Sequence, residues 1–176
     1  MTRAGDYASL AVFIAINVAI SALGGWATSA SVGTWYPTLA KPAFNPPNWI
    51  FAPVWSALYL MIAIAGWRVW RRGGGEVRGG GEARSSEEAG GVRREVRLAL
   101  TVYAVQLALN LSWSFVFFGA RLIGPALAVI AALLAAILAN AFLFWRIDRA
   151  AGALLLPYAA WVSFAALLNA ALWRLN

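Results

Sequence analysis

The side chains that could do chemistry in this sequence are amides and aromatic rings placed one helical turn apart. Gln106 and Asn110 are separated by one turn, and Trp113 follows at the next helical position. Tyr103 and Phe117 fall on the same face, within an arc of about 80°. Uncharged amides flanked by aromatic rings are typical of a ligand pocket, where they orient a bound molecule. Hydrogen bonding between helices is the alternative interpretation of this pair.

A second aromatic face begins at Trp55 and Tyr59, which lie one turn apart, and continues through Ile62 and Gly66. An aromatic face that ends in glycine can line a cavity. These residues follow a segment rich in proline and aromatic residues, which reads WYPTLAKPAFNPPNWIFAPVWSALY over residues 35–59. A rigid belt at the membrane interface is the alternative interpretation of this segment, since tryptophan and tyrosine favour the headgroup level.

A third face near the carboxyl end combines Pro157, Trp161, Phe164, Ala165 and Leu168. The small side chain of Ala165 leaves room beside Trp161. The proline either kinks the helix or begins its deeper part. Three faces from separate segments could thus converge on one pocket.

The composition excludes several common chemistries. The 176 residues include no histidine and no cysteine, so disulfides, Cys/His zinc sites, Ser-His-Asp catalysis and His or Cys ligation of haem iron are excluded. The net charge is +7, but 12 of the 21 charged residues lie between Arg71 and Arg97. The remaining charges are too sparse for a nucleic-acid surface.

The elements that position these faces are long apolar runs. A bilayer core of about 30 Å requires roughly 20 apolar residues in a helix. Runs of this length, apolar on all faces, predict an all-α integral membrane protein with a five-transmembrane-helix bundle. A cleaved signal peptide is the alternative interpretation of the first run. The run is longer than the apolar core of most signal peptides. The runs are Tyr7–Gly25, Ile50–Trp67, Leu98–Gly119, Leu122–Trp145 and Gly152–Trp173.

Two of the five runs carry features that suggest packing. Asn17, Ser21, Gly24 and Thr28 share one face of the first run, as a helix packed closely against its neighbours requires. The fourth run is almost featureless and carries alanines at small-xxx-small spacing, which indicates packing alone. We therefore expect the ligand-facing side chains on the second, third and fifth helices.

The connections divide into a stiff one and a flexible one. Five of the seven prolines lie between Pro37 and Pro53, which predicts a stiff, extended first connection. The second connection repeats GGGEVR as GGGEAR, so residues 1–176 are interpreted as one membrane domain with a flexible Gly/Arg/Glu-rich loop insertion at about 71–97. Residues 86–97 could extend the third helix outward.

The basic residues predict the orientation in the membrane. The amino terminus and the second and fourth connections hold 11 of the 14 lysines and arginines, and the other side holds 3. Because basic residues favour the cytoplasmic side, the amino terminus is predicted in the cytoplasm and the carboxyl terminus outside.

Three blocks of the sequence together resemble the TspO/MBR family of tryptophan-rich sensory proteins and mitochondrial translocator proteins. They are WYPTLAKPAFNPPNW with FAPVWSALY, QLALNLSWSFVFF, and LLLPYAAWVSFAALLNAALWRLN. The resemblance implies a five-helix bundle that is usually a homodimer. The expected location is a bacterial cell membrane, which the chain crosses several times. The resemblance also implies a pocket under the first connection for porphyrins and isoquinoline-type small molecules. The positions that match the family's pocket are Tyr36, Pro46, Trp55, Asn110, Trp113, Trp161 and Ala165.

The combined expectation is a ligand site formed by the resembling positions and the helical faces together. The family's cholesterol motif is incomplete, because LLNAALWR has alanines where a tyrosine belongs. No cofactor and no metal are required, and porphyrin or haem is expected as a ligand whose carboxylates meet Lys41 near the open end. The expected ligand-binding residues are Tyr36, Pro46, Trp55, Tyr59, Gln106, Asn110, Trp113, Trp161, Ala165 and Leu168.

Three functions follow from this expectation. The first is a tetrapyrrole-binding sensor, carrier or regulator with a Trp-lined pocket, in which stacking and burial replace iron ligation. The second is a light- and oxygen-dependent degradation of porphyrin, in which Trp55 and Trp161 would be the catalytic residues. The third is facilitated transport of a small amphipathic ligand. The absence of an intramembrane charge and of an internal repeat disfavours a coupled transporter.

Overall fold

The computed structural model describes residues 3–75 and 86–176, which are almost wholly helical and contain no strand. Five segments are long and apolar enough to cross a membrane, so the predicted all-α fold with five transmembrane helices is confirmed. The fifth segment is divided into two helices. The helices are α1 (Arg3–Val32), α2 (Phe51–Gly75), α3 (Ser86–Ser114), α4 (Ile123–Ile147), α5 (Arg149–Leu154) and α6 (Leu156–Leu175).

The break in the fifth segment falls at Leu155, between α5 and α6. Pro157 lies in the first turn of α6, where a missing N–H group leaves no helical hydrogen bond unmade. The sequence left two roles open for this proline, a kink or the beginning of the deeper part of the helix. The structure shows the second role, because Pro157 lies at the start of α6. Its side chain is exposed, so the prediction that Pro157 shares the inner face is wrong. The neighbouring Tyr158 is fully buried instead.

α3 ends in a widened π turn over Phe115–Gly119. The Ala120 N–H group donates to the Phe115 carbonyl at 2.7 Å, and Arg121 then stops the helix in a left-handed conformation with φ of 58°. A π turn shifts the phase of a helix, and such turns are frequent at functional sites. Here the shift brings two consecutive rings, Phe117 and Phe118, toward the interior.

α1 crosses the bundle at a slant. Its 30 residues span about 45 Å, which exceeds the bilayer core and favours a tilt. Near its start Ser9 accepts a hydrogen bond from Trp67 of α2 at 3.1 Å. Near its end Ser31 donates to the Phe118 carbonyl at 2.6 Å. The helix therefore leaves α2 at one end of the bundle and approaches the end of α3 at the other.

The predicted loop at 71–97 is helical where it is described. α2 continues through residues 71–75, and α3 begins at Ser86, so residues 86–97 extend the third helix as expected. The repeated glycine-rich motif falls mainly on residues 76–85, which lie outside the described residues.

The first connection combines short helical turns with extended backbone, for example at Leu39, so the expectation of an extended structure is met in part. It contains two 3₁₀ turns, Tyr36–Thr38 and Asn48–Ile50, because proline favours the tight turns that precede a change of direction. The Tyr36 hydroxyl donates to Asn45 Oδ1 at 2.7 Å. The Asn176 side chain binds both the N–H group and the carbonyl of Ala40, at 2.9 and 3.0 Å. These bonds fix the connection on the end of the bundle.

An ion pair joins the opposite end of the bundle. Arg68 of α2 contacts the Asp148 carboxylate at 2.9 Å, and Arg72 contacts it at 3.4 Å. Asp148 also caps α5 by accepting hydrogen bonds from the N–H groups of Ala150 and Ala151. Burial alone would raise the pKa of Asp148, but these donors and the two guanidinium groups hold it below its ordinary 3.8.

Candidate functional site

A cavity of about 410 Å³ lies between α1, α2, α3 and α6, beneath the first connection. Aromatic rings and small residues form most of its wall. The three faces predicted on the second, third and fifth helices therefore converge on one space. The predicted ligand-binding residues that line the cavity are Tyr36, Trp55, Tyr59, Asn110, Trp113, Trp161, Ala165 and Leu168.

Two predicted residues, Pro46 and Gln106, do not belong to the described lining. Gln106 is fully buried one turn deeper than Asn110, and Tyr158 lies between the two amides. Pro46 is half-buried within the first connection, where its carbonyl accepts a hydrogen bond from Asn45 Nδ2 at 3.1 Å. The two residues support the site without facing it.

A chain of hydrogen bonds forms the polar floor of the cavity. The Tyr59 hydroxyl donates to Asn110 Oδ1 at 2.7 Å, and Asn110 Nδ2 donates to the Tyr158 hydroxyl at 2.8 Å. Tyr158 in turn donates to Gln106 Oε1 at 3.0 Å. Buried polar groups are costly unless they are paired, so this chain fixes three helices at one depth. Tyr158 was not predicted from the sequence, because the neighbouring Pro157 was placed on the inner face instead.

The three cavity tryptophans are held by aromatic neighbours. Trp55 packs on Tyr59 with ring centroids 5.7 Å apart. Trp161 meets the ring of Phe51 nearly edge to face at 5.9 Å. Trp113 stacks on Phe117 at 5.2 Å, with only 25° between the ring planes. Such pairs restrain the indoles before any ligand arrives.

Asn169 sets the orientation of one of these indoles. Trp113 Nε1 donates to Asn169 Oδ1 at 3.1 Å, and Asn169 Nδ2 donates to the Ile123 carbonyl at 2.9 Å. Sequence reasoning missed this residue. The signal was a single amide within the otherwise apolar run LLNAALW, two turns beyond Trp161.

Trp161 lines the cavity with its ring and keeps its indole N–H group within the packed wall. Its indole Nε1 is buried and has no partner within the described part of the chain. Its ring is fixed by Phe164 at 5.6 Å, and Phe164 packs on Phe44 of the first connection at 6.3 Å. Phe164 was predicted on the inner face. It is half-buried behind Trp161 and outside the described lining.

The described lining carries no charged side chain. Lys41, which we expected to meet ligand carboxylates, is held within the first connection. Its ammonium donates to the carbonyls of Pro37 and Leu39 at 3.0 and 3.1 Å and lies 5.1 Å from the Tyr36 ring centroid. Burial raises the pKa of Tyr36 above its ordinary 10.0, which keeps its hydroxyl neutral. Neutral groups alone thus face the cavity.

The small face predicted on the first helix completes the wall. Ser21, Gly24 and Thr28 all line the cavity. A Cβ atom at Gly24 would stand 3.4 Å from Ser114 Oγ, which is tight and explains the close approach of α1 to α3. Asn17 lies deeper and donates to the Tyr103 hydroxyl at 2.6 Å. The predicted close packing is present at Asn17 and Gly24, whereas Ser21 and Thr28 face the cavity instead.

A sequence profile of the TspO/MBR family matches residues 13–174. The chain belongs to the TspO/MBR family. The protein CrtK of Rhodobacter capsulatus is 35% identical over 171 residues, which cover 96% of this chain and 94% of that protein. The translocator protein of Sus scrofa is 36% identical over 161 residues, covering 89% and 86% of the two chains. The tryptophan-rich protein TspO of Chlorobaculum tepidum is 34% identical over 168 residues, covering 96% of each.

Membership of the TspO/MBR family fits both the five membrane-spanning segments and the position of the matching blocks. The block around residues 35–49 forms the first connection, and the other blocks supply cavity residues on α2, α3 and α6. The family resemblance and the helical faces had pointed to overlapping residues independently. Their convergence on one cavity makes it the candidate functional site of this TspO/MBR protein.

Proposed function

We propose that this TspO/MBR protein binds a tetrapyrrole in its aromatic cavity and acts as a sensor, carrier or regulator. The observation that carries the proposal is the convergence of Trp55, Trp113 and Trp161, from three different helices, on one cavity of about 410 Å³. Indole faces provide a large apolar surface with a preference for stacked or edge-on rings, worth about 0.5–1.5 kcal/mol per pair beyond burial. A flat aromatic ligand uses this surface best.

The chemistry of the wall indicates how such a ligand would lie. Because the described lining has no charge, a carboxylate within the cavity would be buried without a partner, which is costly. The carboxylates of a tetrapyrrole would therefore stay outside the cavity, toward the headgroup region.

The names of the relatives support a sensing or carrying role. The relatives include translocator proteins and a tryptophan-rich sensory protein of Cereibacter sphaeroides, which is 34% identical over 161 residues. These names concern the relatives. For this chain they favour a role in which ligand binding produces a signal or the ligand is transferred, and they give no support to simple storage of the ligand.

The test is a titration of the purified protein with protoporphyrin in darkness, followed by tryptophan emission and porphyrin absorbance. Replacing Trp55 and Trp161 together by leucine removes two stacking faces, and we expect Kd to rise about tenfold or more. Trp26→Leu is the matched control, because Trp26 is 70% exposed and lies outside the described lining. An unchanged Kd in the double variant would reject the proposed placement.

Light-dependent degradation of the bound porphyrin is the second candidate function. It is favoured by one observation, the presence of two oxidisable indoles, Trp55 and Trp161, in the cavity wall. The same titration repeated under illumination in air separates this activity from binding. Product that forms equally in the double variant would exclude a role for these indoles.

A further inference from the structure

The two helices that border the cavity on one side separate from each other at that level. α1 and α2 are in contact near the start of α1, where Phe13 lies 3.0 Å from the position a Cβ atom of Gly66 would take. Farther along, α1 packs on α3 and its π turn through Gly24 and Ser31. A helix that leaves one neighbour for another opens a gap between itself and the first.

The exposure of the cavity lining locates the opening in this gap. On α1 the exposed lining residues are Gly25 and Ser29, on α2 they are Ala52 and Ser56, and in the 3₁₀ turn that precedes α2 the exposed lining residue is Asn48. On α3, its π turn and α6, every lining residue is buried or half-buried. The cavity therefore opens between α1 and the beginning of α2, and the four residues that the two helices contribute to the opening are small.

The opening lies within the membrane-spanning segments. Gly25 and Ser29 belong to the segment Gly5–Val32, and Ala52 and Ser56 belong to Asn48–Gly73. The hydroxyls of Ser29 and Ser56 donate to the carbonyls of their own helices, three and four residues earlier, at 2.8 Å in both cases. Because these donors are already satisfied, the edges of the opening are compatible with hydrocarbon.

The end of the cavity that faces the headgroup region is covered at Tyr36, whereas Asn48, at the outer edge of the opening, is exposed. Tyr36 of the first connection lines the cavity, is only 4% exposed and is fixed by its bond to Asn45. The hydrogen bonds between Asn176 and Ala40 hold the same connection against the end of α6. A route past Tyr36 would require these bonds to break, whereas a route between α1 and α2 requires none of them to break.

We propose that the cavity exchanges its ligand directly with the bilayer through a lateral portal formed by Gly25, Ser29, Ala52 and Ser56. This inference rests on the proposed function and narrows the ligand class. The ligand is a flat molecule that dissolves in the membrane and passes edge-on between two helices, with its polar groups directed toward the headgroups. A strictly water-soluble ligand does not use this route.

The test narrows the portal without disturbing the fold. A Cβ atom at Gly25 meets nothing within 4 Å, so the side chain of Gly25→Leu begins in open space and adds bulk to the opening. The protein in lipid nanodiscs is mixed with protoporphyrin in darkness, and association and dissociation are followed by stopped-flow tryptophan emission. We expect both rate constants to fall about tenfold while Kd changes by less than about threefold, since a barrier slows entry and exit alike.

Ala22→Leu is the matched control, because Ala22 is exposed on the same helix and lies outside the described lining. Its rate constants should equal those of the unmodified protein. Ser56→Leu narrows the portal from the α2 side and should slow both rates as Gly25→Leu does. Elution as a monodisperse species and an unchanged Tm establish that each variant is folded.

The outcomes separate the portal from the proposed function. Binding with unchanged rates in both narrowed variants overturns the portal and leaves the tetrapyrrole site standing. Faster dissociation together with a higher Kd also overturns the portal, because this result indicates that the substitution removes ligand contacts and does not create a barrier. If the unmodified protein binds no protoporphyrin, the proposed function fails and the portal for this ligand fails with it.

Discussion

Asn110 is the residue on which the floor of the cavity depends. It accepts from Tyr59 and donates to Tyr158, so one side chain of α3 holds a hydroxyl from α2 and another from α6. Its helical spacing from Gln106 indicated a polar contact within a pocket. The choice between ligand contact and helix packing could not be made from spacing, because both require an inward amide. The structure assigns packing to Gln106 and a position at the cavity to Asn110.

Removing the Tyr158 hydroxyl should destabilise the bundle. Tyr158→Phe keeps the ring but leaves Asn110 Nδ2 and Gln106 Oε1 without their partner, at a cost of about 1–3 kcal/mol. We expect a lower Tm of the detergent-solubilised protein. Tyr7→Phe is the control, because Tyr7 is 69% exposed, and its Tm should equal that of the unmodified protein. Equal Tm values for all three proteins would show that the polar floor contributes nothing to stability.

At the scale of elements, the apolar runs were predictable because length and hydropathy alone determine a membrane-spanning helix. The inner faces of α2 and α3 were predictable because residues one helical turn apart lie on the same side of a helix. The break at Leu155 was not predictable, since a proline near the start of a membrane helix is equally consistent with a kink. The path of α1 depends on its contacts with other helices, such as those of Gly24 and Ser31 with the end of α3. These contacts join residues far apart in the sequence, so they could not be predicted from the sequence alone.

The junction of α4 and α5 requires glycine at position 152. A Cβ atom there would lie 2.8 Å from backbone and Cβ atoms of Trp145, and backbone atoms cannot turn aside as a side chain does. We expect Gly152→Ala to lower the stability by about 1–3 kcal/mol or to prevent folding. The measurement is Tm together with the yield of folded protein.

Gly25→Ala is the matched control for this change. It is also a helical glycine, but its Cβ atom would meet nothing within 4 Å. Alanine has fewer backbone conformations than glycine in the unfolded chain, so the substitution lowers the entropy lost on folding. We therefore expect Tm to be unchanged or slightly raised. If the two alanine variants proved equally stable, the close approach of α5 to α4 would not limit this fold.

At the scale of the whole molecule, the ion pairs that join the helices lie toward one end of the bundle and the cavity lies toward the opposite end. Ion pairs link α1 to α2 through Asp6 and Arg71, and α2 to the α4–α5 junction through Arg68 and Asp148. The amino terminus and the second and fourth connections therefore lie together, as the charge pattern required. The assignment of this end to the cytoplasm stays a prediction, because the bundle itself does not fix its direction in a membrane.

The central claim is that the ligand occupies the cavity, and filling the cavity tests it most directly. Ala165 is buried in the lining between Trp161 and Leu168, so Ala165→Phe takes ligand space without removing an indole. Ala160→Phe places the same bulk on the exposed side of the same helix. In a dark protoporphyrin titration we expect Kd to rise about tenfold or more for Ala165→Phe and to stay unchanged for Ala160→Phe. Binding of equal strength by both folded variants would contradict the account.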